Sequence, residues 1–309
     1  MTADNDAVYV RVPAKINLSL HVGPAGDDGF HDIATVFQAV SLYDDLVASP
    51  ADEVEVEVTG VGAAQVPTDD TNLAVRAARL LADSTGTETG VQLRIVKRIP
   101  VAGGMAGGSA DAAGALLACD ALWRTGLARD ELRELATELG SDVPFGLLGG
   151  TALGTGRGDQ LTPALARGEY HWVLALSSDE LSTPAVYAEC DRLRRGRPVL
   201  EPAVTSAMMQ ALRSGDAVAL GTQMTNDLQP AAVHLLPNLE RVLEVGSGEG
   251  ALGSLVSGSG PTVAFLVADS EAALDLSVAL TAAGVCDRVA RVTGPVSGAR
   301  LVEPVVHRA

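Results

Sequence analysis

The sequence has few aromatic residues, few basic residues and few cysteines, and each scarcity excludes a class of protein. Aromatic residues make up 3% of the 309-residue chain against 47% for all hydrophobic residues, so we expect an aliphatic core of Ala, Val and Leu. Lysine and arginine number 22 against 39 acidic residues, which gives a formal net charge of −17. Because a field of that sign repels nucleic acid and anionic membranes, we expect neither as a partner.

The few cysteines and the lack of a long apolar run bear on where the protein acts. Cys119, Cys190 and Cys286 match neither a metal-ligand spacing nor a disulfide framework, so we interpret them as small buried residues in a reducing compartment. No apolar run is long enough to span a bilayer, and the acidic N-terminus lacks the apolar segment of a signal peptide. These observations predict a cytoplasmic protein.

Lysine itself is almost absent, which draws attention to the two lysines that remain. Lys15 lies near the start of the chain and Lys97 lies just before a glycine-rich segment. Lysine carries a compact charge that the planar guanidinium of arginine does not reproduce. The two lysines are either retained for a function or survivors of a coding bias that favours arginine.

The glycine-rich segment, residues 100–118, runs directly into a predicted helix. Glycines bring backbone N–H groups close to an anion, and the first turn of a helix adds unpaired N–H groups and a positive dipole end. Ser109 is a plausible N-cap of this helix. The spacing fits neither a P-loop nor a dinucleotide fingerprint. The segment therefore predicts a phosphate site, with a flexible hinge as the alternative.

Strands and helices mix along the whole chain without regular alternation. Valines alternate with polar residues at 8–12 and apolar residues alternate at 18–22, which predicts two strands, and a helix with Thr71 as its cap is predicted over 71–81. Further helices are predicted over 129–139, 183–194 and 271–283. This pattern favours an α+β protein of two domains, which we place at 1–165 and 166–309.

Five segments in order along the chain resemble the motifs of the GHMP small-molecule kinases. Three are general to that family: Pro-Ala-Lys-Ile-Asn-Leu at 13–18, the glycine-rich segment at 100–113, and Ser-Gly-Ser-Gly-Pro-Thr at 257–262. Two others resemble the members whose substrate is a cytidyl-diphosphate alcohol: Gly-Phe-His at 29–31 with Gln38 downstream, and Gly-Ser-Asp-Val-Pro-Phe at 140–145. The chain departs from the usual pattern at Met105, Ala106, Phe30 and Gly146, and Ala106 tolerates a positive φ less well than glycine.

The resemblance implies a fold, a reaction and its cofactors. The expected fold is an N-terminal domain like ribosomal protein S5 domain 2 and a ferredoxin-like C-terminal domain, with the active site in the cleft between them. The expected reaction transfers the γ-phosphoryl group of ATP, with Mg²⁺, to a hydroxyl group of a small cytidyl-diphosphate alcohol. The resemblance leaves a homodimer open.

The resemblance also assigns roles to individual residues. Asp142 is the expected general base, although an aspartate before Val143-Pro144 is more often a plain N-cap. Lys15 is the expected catalytic cation near Asp142 and the acceptor hydroxyl, and Asp111 is interpreted as structural. The residues assigned to ATP are Asn72, Lys97, Pro100, Gly103, Gly104, Ala106, Gly107, Gly108 and Ser109, and Ser109 is also the expected Mg²⁺ ligand. Those assigned to the alcohol substrate are Asn17, Phe30, His31, Thr183 and Tyr187.

Two other functions compete with this interpretation. A kinase of the same fold could act on mevalonate, homoserine or a sugar, but the segments at 29–31 and 140–145 argue against it. A nucleotide sensor on the same scaffold would have no need to keep both Lys15 and Asp142. Turnover of alternative alcohols discriminates among the three.

Overall fold

The structure, a computed structural model, describes residues 6–27 and 29–303. The strands are β1 (Val8–Ala25), β2 (His31–Ala51), β3 (Val54–Gly60), β4 (Gly90–Lys97), β5 (Thr151–Thr155), β6 (Gln160–Pro163), β7 (Tyr170–Leu176), β8 (Thr225–Asn226), β9 (Gly253–Val256), β10 (Val263–Val267), β11 (Arg288–Gly294) and β12 (Arg300–Leu301). The helices are α1 (Leu73–Thr85), α2 (Gly107–Trp123), α3 (Arg129–Leu139), α4 (Val143–Leu148), α5 (Thr183–Arg194), α6 (Ser206–Ser214), α7 (Ala217–Gln223), α8 (Gln229–Leu235), α9 (Asn238–Gly248) and α10 (Ser270–Ala283).

Two long antiparallel strands, β1 and β2, form the centre of the first sheet, whose main order is β12-β1-β2-β4-β3. The two strands predicted at 8–12 and 18–22 are one continuous strand of 18 residues. One register shift lies at Pro13, which has no N–H to donate to the neighbouring strand, and another lies between Asn17 and Ser19. Lys15 and Asn17 lie between these two irregularities, in the middle of the strand.

The second sheet has the order β11-β7-β10-β9, and all its neighbouring strands are antiparallel. When these four strands are numbered by their order along the chain, the sheet order is fourth, first, third and second. Helix α10 connects the third strand to the fourth. This is the ferredoxin-like arrangement expected for the C-terminal half. The boundary predicted after residue 165 falls between β6 and β7, where the chain leaves the first sheet, yet β8 and β12 of the second half pair with β1.

The core is mainly aliphatic, as the composition predicts, but a few aromatic side chains fill large spaces within it. Trp172, Tyr170, Phe37 and Phe265 are among its largest fully buried side chains. Trp172 Nε1 donates to Gln38 Oε1 at 3.0 Å, and this bond joins the second sheet to β2. Along the described residues, no helix combines the length and apolar character needed to cross a membrane.

Candidate active site

The glycine-rich segment ends where α2 begins, and the residue before the helix has a left-handed backbone. Ala106 occupies the N-cap position of α2 with φ 59° and ψ 37°, and Gly107 is the first helical residue. Ser109 is therefore the third residue of the helix and not its N-cap, because the pair of glycines before it already follows the helical path. Ala106 thus has the positive φ that alanine tolerates poorly, and Ala102 also has a positive φ, of 53°.

The loop lines a cavity of about 530 Å³ between the two sheets. Members of every predicted group face this cavity. They are Lys15, Asn17, Gly103, Gly104, Ala106, Gly107, Gly108, Ser109, Asp142, Thr183 and Tyr187. The cavity thus brings together the first motif, the glycine-rich loop and the start of α5.

The turn between β9 and β10 supports the loop from the side of the second sheet. Ser257 Oγ donates to the carbonyl oxygen of Gly104 at 3.0 Å. Gly104 has φ 70°, and a Cβ on it would lie 2.1 Å from the carbonyl oxygen of Ser257. Only glycine fits this approach. The turn thus packs on the loop, and its Gly258 and Ser259 line the cavity.

Lys15 and Asp142 face each other across the cavity. Lys15 Nζ lies 3.7 Å from Asp142 Oδ2 and donates to Asn17 Oδ1 at 2.9 Å. Asn17 Nδ2 in turn donates to Thr35 Oγ1 at 2.8 Å, which fixes the orientation of its amide. Asp142 occupies the N-cap position of α4, but its side chain makes no capping hydrogen bond. The carboxylate is therefore directed toward Lys15 instead of satisfying the helix.

The residues expected to hold a cytidyl group lie around a second cavity of about 640 Å³. The rings of His31 and Tyr187 have their centroids 5.1 Å apart, and His31 Nε2 lies 2.9 Å from Asp191 Oδ1. Burial raises the pKa of Tyr187 to about 12, with the charge of Asp142 as a further cause, so its hydroxyl keeps its proton. Phe30 is 53% exposed at the rim.

Arg157 is a site residue that the sequence reasoning missed. Its guanidinium carbon lies 3.8 Å from the centroid of the Phe30 ring, and it lines both cavities. It stands between Gly156 and Gly158 in a glycine-dense stretch, and nothing in its local sequence marks it out. The residues common to the two cavities are Ile33, Ser141, Arg157, Thr183, Pro184 and Tyr187.

The start of α5 connects the second domain to the site. Thr183 is the first residue of that helix, and its hydroxyl lies 2.9 Å from that of Ser259 in the β9–β10 turn. This bond leaves the Thr183 side chain at the junction of the two cavities. Its expected contact with the substrate diphosphate stays a prediction.

Asn72, which is predicted to contact ATP, has its polar side-chain atoms hydrogen-bonded within the protein. Asn72 is the N-cap of α1: its Oδ1 accepts from the N–H of Ala74 at 2.8 Å and its Nδ2 donates to the carbonyl of Pro67 at 2.6 Å. The prediction of Thr71 as the N-cap of this helix is wrong by one residue. A role for Asn72 in nucleotide binding stays a prediction.

Lys97 lies below the loop and not in the cavity. Its side chain is 1% exposed, and its Nζ donates to Asp44 Oδ2 at 2.5 Å, to Asp111 Oδ2 at 2.6 Å and to the carbonyl oxygen of Gly107 at 3.2 Å. Burial alone would lower the pKa of Lys97, but the two carboxylates raise it. Lys97 therefore contacts the loop through the carbonyl of Gly107, and its expected contact with ATP stays a prediction.

Asp111 is almost fully buried in the same cluster, in keeping with the structural role expected for it. Burial raises its pKa to about 8, with the second carboxylate of Asp44 adding to the effect and Lys97 opposing it. Its Oδ1 has no hydrogen-bond partner among the residues that the structure describes.

Oxygen donors for Mg²⁺ are present, although they are sparse. The described part of the chain contains no group of three or more His, Cys, Asp and Glu side chains suited to a metal ion. Mg²⁺ bound with a nucleotide needs only one or two protein oxygens, because phosphates and water supply the rest. The hydroxyl of Ser109 and the carboxylate of Asp142 both line the loop cavity, so the donor set fits such an ion.

Comparisons with known proteins show the family to which the chain belongs. The family model for the GHMP kinases N terminal domain matches residues 72–150, and that for the GHMP kinases C terminal matches residues 208–286. The chain belongs to the GHMP kinases, a family of phosphotransferases that use ATP.

Individual relatives narrow the comparison. A protein of Leifsonia xyli subsp. xyli, named 4-diphosphocytidyl-2-C-methyl-D-erythritol kinase, is 56% identical over 306 residues, covering 96% of this chain and 99% of the relative. A crystal structure of 4-(cytidine 5'-diphospho)-2C-methyl-D-erythritol kinase is 34% identical with a TM-score of 0.75, covering 92% of this chain and 98% of that one. A homoserine kinase from Cytophaga hutchinsonii, with a TM-score of 0.75, 19% identity and coverage of 98% and 99%, shares the fold alone.

Proposed function

We propose that the protein transfers the γ-phosphoryl group of ATP to the 2-hydroxyl of 4-diphosphocytidyl-2-C-methyl-D-erythritol, in the non-mevalonate route to isoprenoid precursors. The names of its relatives support the substrate. The observation that carries the chemistry is the Lys15–Asp142 pair, which lines the same cavity as the glycine-rich loop. The proposed setting is the cytoplasm, with no nucleic-acid partner.

Asp142 is the proposed general base of this reaction. Its carboxylate is free of helix capping and 31% exposed, so Oδ2 can reach a hydroxyl group placed in the cavity and accept its proton. Lys15 Nζ, held by Asn17, is close enough to stabilise both the carboxylate and the negative charge of the transferred phosphoryl group. Phosphoryl transfer needs alignment and charge neutralisation more than covalent help, and this pair supplies both.

The glycine-rich loop is the proposed cradle for the triphosphate. Gly107, Gly108 and Ser109 form the first turn of α2, whose N–H groups have no partner within the helix and attract an anion. Mg²⁺ would neutralise phosphate charge there when bound, held by Ser109. The loop therefore fixes the ATP phosphates on one side of the Lys15–Asp142 pair.

The second cavity is the proposed site of the cytidyl group. Phe30 and Tyr187 offer ring faces on which a base can stack. Because the Asp191 carboxylate can only accept, His31 Nε2 would donate to it, and Nδ1 of the neutral ring would accept from the cytosine amino group. Arg157 lies where the two cavities meet and would pair with the diphosphate that links base and alcohol.

Turnover of a panel of alcohols tests the proposal. ATP consumption by the purified protein with Mg²⁺ is measured with 4-diphosphocytidyl-2-C-methyl-D-erythritol, mevalonate and homoserine in parallel. The proposal expects turnover with the cytidyl alcohol alone. Turnover with another alcohol would keep the kinase and exclude the cytidyl pocket, whereas ATP binding without any turnover would favour a nucleotide sensor.

A further inference from the structure

A buried ionic cluster lies directly beneath the glycine-rich loop. Lys97 at the end of β4 contacts Asp44 of β2 and Asp111 of α2, and the exposed fraction of each of the three side chains is below 5%. Asp44 Oδ1 also accepts from the backbone N–H groups of Arg98 and Ile99, at 2.6 and 2.9 Å. The cluster thus joins two strands of the first sheet to the helix that starts the loop's anion site.

Burying an ammonium together with two carboxyl groups is costly, so a cluster of this kind is weak evidence of a purely stabilising role. Each ion loses its hydration, and apolar residues of similar size often give equal or greater stability. The position of the cluster offers another reason for its presence. Lys97 Nζ has a third partner, the carbonyl oxygen of Gly107, which belongs to the first residue of α2.

That third contact fixes the orientation of one peptide group in the anion site. In a trans peptide the carbonyl oxygen and the N–H of the next residue point in opposite directions. Holding the Gly107 oxygen down toward Lys97 therefore directs the N–H of Gly108 away from the cluster, toward the N-terminal end of α2 and the cavity. A Cβ on Gly107 would lie 3.3 Å from Lys97 Nζ, so the ammonium would have to shift by a few tenths of an ångström to accommodate one.

We propose that the Asp44–Lys97–Asp111 cluster positions the glycine-rich loop for the ATP phosphates, with Lys97 acting through the carbonyl of Gly107. The proposal rests on the proposed function only in that this loop holds the triphosphate. Lys97 and Asp111 are positioning residues: neither touches ATP, and both act through the backbone of α2. The two carboxylates hold the ammonium in place, and the ammonium holds the loop.

Paired substitutions at Asp111 and Lys97 test this role through ATP binding alone. Asp111→Ala removes the side-chain oxygen that accepts from Lys97, whereas Asp111→Asn also lacks the carboxyl group but keeps an amide oxygen that can accept. Lys97→Met removes the ammonium at similar length. The dissociation constant for Mg²⁺-ATP is measured by titration calorimetry on each full-length variant, together with KM for ATP and for the alcohol. We expect Asp111→Ala and Lys97→Met to weaken ATP binding about tenfold, with KM for the alcohol unchanged, and Asp111→Asn to restore most of the affinity.

Asp120→Ala is the matched control. Asp120 lies in the same helix, and its Oδ1 accepts from Thr125 Oγ1 and the N–H of Leu127, far from the loop. Its loss should lower the melting temperature without changing ATP affinity. If Asp111→Ala folds and binds ATP like the wild type, or loses no more affinity than Asp120→Ala, the positioning role is refuted; this holds even if Lys97→Met does not fold. A wild-type protein that binds no ATP would instead refute the proposed function.

Discussion

Replacing Asp142 with asparagine separates catalysis from folding at this site. The two side chains have the same shape, and the carboxylate caps no helix, so the substitution removes no hydrogen bond on which α4 depends. With a side chain 31% exposed, Asp142 is also partly solvated. We therefore expect the free energy of unfolding to change by about 0.5 kcal/mol or less.

The effect on turnover should be far larger than the effect on stability. A positioned general base typically contributes about 10²- to 10⁴-fold to the rate, so kcat should fall by that factor when Asp142 can no longer accept a proton. The affinity for ATP should rise or stay the same. Unit charges about 4 Å apart interact by about 4 kcal/mol at an effective dielectric constant of 20, an upper bound here because of solvent screening. Removing that negative charge leaves Lys15 free to attract phosphate.

The assay is a coupled measurement of ADP release over a range of ATP concentrations, with melting temperature as the folding check. Asp275→Asn is the control, since Asp275 is an exposed aspartate on α10, away from both cavities. A kcat within tenfold of the wild type for Asp142→Asn would refute the general-base role. A fall in kcat that is matched by an equal rise in KM for ATP would point to nucleotide binding instead.

Four further substitutions have defined outcomes. Lys15→Arg should lower kcat about tenfold or more, because the planar guanidinium cannot reproduce the ammonium held by Asn17, as steady-state kinetics would report. Phe30→Ala should raise KM for the cytidyl alcohol several times more than KM for ATP, since Phe30 lines only the second of the two cavities. Gly104→Ala should cost about 2 kcal/mol or more in denaturant unfolding, because its φ is 70° and the new Cβ would meet a carbonyl 2.1 Å away. Asp111→Asn should raise the melting temperature of the metal-free protein more at pH 8 than at pH 5: the pKa of this carboxyl is about 8 when folded against 3.8 as its ordinary value, so the wild type loses stability as pH rises across that range and asparagine does not.

The opposite results are equally specific. If Lys15→Arg keeps wild-type turnover, Lys15 has no specific catalytic role and is a survivor of the coding bias that favours arginine. Equal rises in both KM values for Phe30→Ala would make that ring a general packing residue. A Gly104→Ala variant as stable as the wild type would mean that the β9–β10 turn yields easily, and a melting-temperature difference independent of pH for Asp111→Asn would mean that the carboxyl is not held protonated.

The sequence predicted the segments of the site better than the role of each side chain within them. The motif at 13–18 placed Lys15 and Asn17 correctly beside the cavity, because alternation along one strand sends both to the same face. Lys97 lies two residues beyond the buried Ile95 of β4, so the alternation of that strand also places it on the buried face. Only the tertiary structure shows that Asp44 and Asp111 pack against its ammonium there.

The N-caps of two helices were also predicted wrongly from the sequence, and the reason lies in the backbone at each helix start. Ser109 and Thr71 are both good capping residues by type, but the caps are Ala106 and Asn72. A left-handed alanine is disfavoured in isolation, so the chain's own preferences could not reveal it. Arg157 was not predicted as a site residue, because its place in the site depends on the tertiary contact of a glycine-dense turn with Phe30. The residue type alone does not predict that contact.

The wall shared by the two cavities has a consequence for inhibitor chemistry. Tyr187, Thr183 and Arg157 border both cavities, so the loop proposed to hold phosphate and the pocket proposed to hold a base lie next to each other. A single molecule with an anionic head and an aromatic tail could occupy both at once. Tethering two weak fragments in this way makes the second binding step intramolecular, at an effective concentration in the millimolar range for a short linker, so affinity can grow without any new contact.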